Sequence, residues 1–146
     1  MPFTIRPVSS ITYDTLIDIW ERSVRATHDF LLEEDILFYR PLILNEYFDA
    51  VELVALWKDD TIAGFAGVSD KNLEMLFIHP DFFGKGFGKT LLHYCIEKLE
   101  VEKVDVNEQN EQALGFYLHM GFEITGRSPL DSMGKPYPIL HMHLKR

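Results

Sequence analysis

Ile78-His79-Pro80-Asp81-Phe82-Phe83-Gly84-Lys85-Gly86-Phe87-Gly88-Lys89-Thr90-Leu91-Leu92 is the stretch whose reading decides the fold. The run from Leu73 to Ile78 ahead of it is short and mostly apolar, as a buried strand is. Pro80 stops that strand, because it has no N–H to give and a fixed φ. Gly84, Gly86 and Gly88 then alternate, and Leu91, Leu92, Cys95, Ile96 and Leu99 recur at helical spacing. The glycines therefore mark the point where a strand turns into the first turn of a helix. The first N–H groups of a helix lack internal partners, and the macrodipole adds roughly half a positive charge there. With no Cβ in the way, and Lys85 and Lys89 alongside, the stretch is suited to a phosphate or pyrophosphate.

The spacing matches neither G-x-x-x-x-G-K-[ST] nor G-x-G-x-x-G. It resembles the acetyl-CoA signature of the GCN5-related N-acetyltransferases, Arg/Gln-x-x-Gly-x-Gly/Ala at a helix start after a strand ending near proline. Gly86 and Gly88 are the glycines of that pattern, and Phe83 stands where Arg or Gln is usual. A second block, Asn110 to Phe122, is similar to the family element N-x-x-A-x-x-F-Y-x-x-x-G-F. The two blocks come in family order, and the resemblance spans essentially the whole chain. Segments 27–31, 107–110, 126–128 and 134–138 are also similar to those of a bacterial subgroup of small acetyltransferases.

Working outward, Phe3–Val8 reads as a strand and Thr12 as the cap of a helix running to Thr27. Residues 33–51 read as further helix, broken at Pro41. Glu52–Trp57, Thr61–Val68 and Asn72–Ile78 form an antiparallel meander with turns at Lys58-Asp59-Asp60 and Ser69–Lys71. After the glycines come a helix to Leu99, a strand Lys103–Val106, a helix capped by Asn110 and closed by Gly121, and strands beginning at Phe122 and Ile139. This order is α+β. The resemblance implies a single domain over residues 1–146, with a mixed, mostly antiparallel sheet of six to seven strands. It places helices on both faces and a splayed parallel pair, Asn72–Ile78 and Lys103–Val106.

Composition narrows the function. A chain of 146 residues, 47% hydrophobic, can bury a full core. A net charge of −9 argues against a nucleic-acid partner, which needs a basic face. No apolar run reaches the ~20 residues of a membrane span, and the N-terminus has no signal-like core, so a cytoplasmic protein is expected. The lone Cys95 cannot form an internal disulfide and lies on a helix's apolar face, where a buried thiol is expected. His141 and His143 alternate on one strand face, but no third ligand accompanies them, so no metal is expected. Oligomeric state stays open between monomer and homodimer.

The resemblance implies an acetyl-CoA-dependent transfer of acetyl to the amine of a small molecule or peptide. It assigns the strand residues Leu76, Phe77 and Ile78 to the pantetheine chain, and Phe83, Gly84, Lys85, Gly86, Phe87, Gly88 and Lys89 to the pyrophosphate. Asn107 and Asn110 fall to the coenzyme as well. Tyr117 matches the family's frequent general acid and a coenzyme neighbour, and a phenol of pKa ~10 can protonate a thiolate whose parent has pKa ~8.5. The base is less determined. A lysine-like amine is neutral about once in 2,500 at pH 7, a cost near ~4.6 kcal/mol, and Glu74 is the candidate to take the proton. Thr27, His28, Asn72 and Tyr137 are candidate acceptor contacts. The alternative reading is a coenzyme-A-binding regulatory module with little or no catalysis; Phe83 favours it and Tyr117 opposes it.

Overall fold

A computed structural model describes residues 3–145. Seven strands form one sheet in the order β1-β2-β3-β4-β5-β7-β6. They are β1 (Phe3–Pro7), β2 (Glu52–Lys58), β3 (Thr61–Ser69), β4 (Asn72–Ile78), β5 (Lys103–Asn107), β6 (Phe122–Ser128) and β7 (Ile139–Leu144). Neighbours are antiparallel except β4 and β5, which run parallel. The α+β class, the mixed sheet and the helices on both faces are as the sequence led us to expect.

The two faces are covered by different helices because different stripes of the sequence are apolar. In α1 (Tyr13–Thr27), Leu16, Ile17, Trp20 and Val24 recur every three to four residues. They pack with Ile36 of α2 (Glu33–Leu42) against Ala55, Phe65 and Met75. On the other face, Leu91, Leu92 and Cys95 of α3 (Phe87–Lys98) and Tyr117 of α4 (Glu111–His119) close over Val54, Leu73, Val104 and Met142.

Pro41 does not break its helix as expected. It is the penultimate residue of α2, and the chain continues into a wide π turn, Ile43–Tyr47, and a tight turn, Phe48–Ala50. The wider turn follows the residue whose ring and missing N–H disturb the ladder. It still brings Ile43 and Phe48 into the core. Thr12 precedes α1, but its hydroxyl donates to Ser9 O at 2.8 Å instead of capping the helix.

Two irregularities shape the middle of the sheet. In the β3–β4 ladder Gly67 faces Met75 and Val68 faces Leu73, so Glu74 is an extra, bulged residue. The bulge moves Met75 to the α1 face while Leu73 and Leu76 join the α3 face. β4 and β5 pair only at Asn72↔Lys103 and Leu73↔Val104, and then part. Across the parting, the Asn110 carboxamide donates from Nδ2 to His28 Nε2 at 3.3 Å, joining the end of α1 to the start of α4. His28 Nδ1 in turn donates to Thr27 Oγ1 at 2.7 Å, and that hydroxyl to Ser23 O at 2.8 Å.

Two outcomes follow from this packing. A Cβ on Gly64 would stand 2.5 Å from Ile78 Cδ1 and 2.8 Å from Phe77 O. Because the second contact is backbone, β4 must shift, and Gly64→Ala costs about 1–3 kcal/mol in urea unfolding. Burial pushes the His28 ring down from 6.5 to about 4, outweighing the nearby Asp29 carboxylate. Between those values the unfolded chain binds a proton that the folded chain refuses, so His28's share of stability is intact above pH 6.5 and is lost as pH falls toward 4. The urea midpoint therefore drops more steeply on acidification in the parent protein than in His28→Gln.

Candidate active site

The parting of β4 from β5 opens a cavity of about 440 Å³. Its walls are both strands from Leu73 and Val104 onward, the turn into α3, the first turns of α4, and Ser23, Thr27 and His28 of α1's end. Of the residues singled out from sequence, Glu74, Leu76, Phe77, Ile78, Phe83, Gly84, Gly86, Phe87, Gly88, Lys89, Asn107, Asn110, Tyr117, Thr27 and His28 line it.

Three others do not. Lys85 is exposed and lies outside the lining. Asn72 sits where the strands are still paired and lines a second cavity of about 430 Å³. Tyr137 is buried beside Phe30, its hydroxyl donating to the Asp35 carboxylate and accepting Leu32 N–H at 3.3 Å. Lys135 Nζ lies 2.9 Å from the same carboxylate. These hydrogen bonds hold Asp35 below the usual carboxylate range and leave Tyr137 pinning the β6–β7 loop to α2.

At the mouth, Gly84 and Gly86 adopt φ of 77° and 79°, the left-handed region that side chains resist. A Cβ on either would meet nothing within 4 Å, so these glycines are required by conformation and border open space. Gly86 precedes α3, and its carbonyl accepts Thr90 N–H at 3.1 Å. The N–H groups of Phe87, Gly88 and Lys89 consequently have no intrahelical partner, and they gather at the positive end of the helix dipole. Phe83 is half-exposed, with its N–H bonded to Pro80 O. The cradle thus consists of backbone donors with Lys89 on its wall, and it fits the phosphates of a nucleotide-bearing thioester.

Deeper in, Tyr117 stands on α4 with its ring edge-on to Phe116 and Phe122, centroids 5.1 and 5.8 Å apart. Among the described residues its hydroxyl has no hydrogen-bond partner. Burial, helped by neighbouring Cys95, raises its pKa, so the phenol is fully protonated at neutral pH. Cys95 itself is buried and pushed up to about 12, which removes it as a nucleophile. Asn110 caps α4 by accepting Ala113 N–H at 3.2 Å, which sets the helix and Tyr117 against the cavity.

Glu74 and Asp105 line both cavities. The bulge is what turns Glu74 out of the regular alternation to this position. Asp105, Ser23, Gln112 and Phe116 also line the first cavity although the sequence did not single them out. Asp105 and Ser23 had a readable signal: Asp105 shares a strand face with Asn107, and Ser23 is one turn before Thr27 on α1. Among the described residues no cluster of three or more His, Cys, Asp or Glu could hold a metal, and no helix is long and apolar enough to cross a membrane.

Comparison with known proteins agrees with this geometry. The chain is 42% identical over 129 residues to the peptidyl-lysine N-acetyltransferase YjaB of Salmonella typhimurium, covering 88% of this chain and 89% of that protein. It is equally similar to the Escherichia coli protein of the same name. The solution structure of apo-form YjaB from Escherichia coli superposes with a TM-score of 0.87 at 39% identity, over 98% of this chain and 97% of that one. The PaiA N-acetyltransferase of Thermoplasma acidophilum, solved with coenzyme A, shares the fold at a TM-score of 0.76 and 20% identity, covering 99% and 100% of the two chains. The acetyltransferase (GNAT) domain model matches residues 38–137, most of the chain and both sides of the cavity. The chain belongs to the GNAT acetyltransferase family.

Proposed function

We propose that this protein is a lysine Nε-acetyltransferase of the cytoplasm, moving acetyl from acetyl-CoA to lysine side chains of a protein or peptide. The observation that carries the reading is the cavity itself. It runs between parted parallel strands, with free backbone donors at one end and a neutral, unpartnered phenol inside. The lysine acceptor is supported by the 42% identity to peptidyl-lysine N-acetyltransferases over nearly the full length. Glu74 and Asp105, at the wall shared with the second cavity, suit an approaching ammonium.

The proposed division of labour follows from each group's surroundings. Acetyl-CoA supplies the thioester. The N–H groups at the start of α3 bind its phosphates, and the unpaired edges of β4 and β5 offer backbone partners to its pantetheine arm. Glu74, facing both cavities, receives the proton that the acceptor ammonium must shed before attack. Tyr117 donates to the departing thiolate. Burial makes the phenol a weaker acid, but a thiolate held in the same dry cavity is also a stronger base, so the transfer stays feasible. His28 remains neutral down to about pH 4 and keeps Asn110 oriented without adding a cation to the site.

Two substitutions test the reading. Tyr117→Phe leaves affinity for coenzyme A near the parent value and lowers kcat by roughly 10²–10⁴-fold, the span of a general acid. Steady-state turnover of a lysine peptide, followed by release of free thiol, measures this; an unchanged kcat assigns Tyr117 to packing alone. Gly86→Val forces a branched side chain into the left-handed conformation at the cradle. It weakens coenzyme A binding at least tenfold, about 1.4 kcal/mol, by calorimetry.

A further inference from the structure

Beyond the cavity, the open face of β5, β7 and β6 carries a second chemical arrangement. Cross-strand register places Asp105 opposite His141 on one side and Gly126 opposite it on the other, with Ser128 two pairs further along β6, opposite Ile139. His141 Nδ1 lies 2.7 Å from Asp105 Oδ1, and His141 Nε2 lies 2.7 Å from Ser128 Oγ. A carboxylate can only accept, so in the neutral ring Nδ1 carries the hydrogen and donates to Asp105. Nε2 is then the lone-pair nitrogen, and the Ser128 hydroxyl must donate to it. Nucleophile, base and orienting acid stand in hydrogen-bonded sequence, which is how such a constellation is recognised on any fold.

Local structure explains why the ring lies this way. An extra residue, Thr125, bulges β6 between Ile124 and Gly126 and resets which side chains face β7. The space a Cβ on Gly126 would take is bordered by the His141 ring at 3.6 Å, so the glycine leaves the imidazole room to lie across β6. The Thr125 hydroxyl then occupies His141 O at 3.2 Å and His143 Nδ1 at 3.0 Å, keeping the other strand histidine out of the relay. Ser128 is only half-buried, on the edge strand, and is reachable from solvent.

We propose that Ser128 is an activated nucleophile that accepts an acyl group from small activated esters and thioesters, with His141 as its base and Asp105 as the group that orients the ring. Ser128 Oγ bonds to the carbonyl carbon of the donor as its proton passes to His141 Nε2. The bond from that carbon to the leaving oxygen or sulfur breaks, and the leaving group takes the proton back from the imidazolium. The products are an O-acyl serine and a free alcohol or thiol, with no oxidant or further reactant. Ser128 and His141 lie outside the first cavity, and Asp105, which also lines its wall, is the one residue that the two arrangements share.

The test is acylation of the purified full chain by 4-nitrophenyl acetate, read as nitrophenolate release and by peptide mapping of the acetyl group. The parent protein forms acetyl-Ser128, and Ser128→Ala loses that release phase. His141→Gln slows acylation by roughly 10²-fold, the contribution expected of a positioned base. Asp105→Asn slows it as well by removing the orienting charge. It keeps the comparison valid if His141→Gln unfolds, because the readout is acylation of Ser128 and not acetyl transfer in the cavity that Asp105 also lines. No acetyl on Ser128 in the parent protein would overturn the proposal. So would acetylation of Ser128 at parental rate in both folded His141→Gln and Asp105→Asn.

Discussion

The rest of the structure depends on the short parallel pairing of β4 and β5. Two residue pairs hold the strands together, and beyond Leu73 and Val104 they separate. A sheet does not ordinarily leave backbone donors and acceptors unpaired in its interior, because each costs about 1–3 kcal/mol when buried without a partner. Here the parted edges border a cavity, so the cost is avoided while a row of directional partners stays available. The flanking elements complete the opening. The Glu74 bulge redirects β4, Gly64 lets its far end lie close on β3, and His28 joins Asn110 across the gap.

The electrostatic character of the cavity follows from what burial does to each group. The His28 ring is held neutral, the Tyr117 phenol and the Cys95 thiol are held protonated, and fixed backbone dipoles at the start of α3 supply the positive potential. The carboxylates Glu74 and Asp105 lie at the side shared with the second cavity. Anion-binding and cation-binding features are therefore at different parts of the opening. That separation suits a polyanionic acyl donor and a cationic acceptor. The proposed site also reconciles a chain of net charge −9 with an anionic donor, because local N–H groups would meet the phosphates whatever the bulk field.

Much of the fold was legible because its signals are local. Alternation marked β1, short strand-like runs marked β2 to β4, the Asn110 side chain does cap α4, and Gly121 closes it with φ of 99°. The glycines at 84 and 86 were read as a turn into a helix, and their positive φ values agree. What sequence missed depends on partners far along the chain. Tyr137 resembles a free wall residue until Asp35, 102 positions away, takes its hydroxyl. Asn72 sits at the paired end of β4, which only the register with Lys103 reveals. The bulge at Glu74 shows no glycine or proline to announce it. Pro41 is a strong local breaker that tertiary packing accommodates with a wider turn, because Ile43 and Phe48 gain burial by continuing.

The central claim, that the parted strands and the helix start form one acyl-donor site, is tested most directly by amide hydrogen exchange with and without acetyl-CoA. The account predicts slower exchange in three separate stretches: residues 74–78, residues 84–89 and residues 104–107. All of these residues except Lys85 border the opening, and the three stretches have no other reason to respond together. Exchange unchanged in all three at saturating acetyl-CoA, or protection confined to the β6–β7 face, would contradict it.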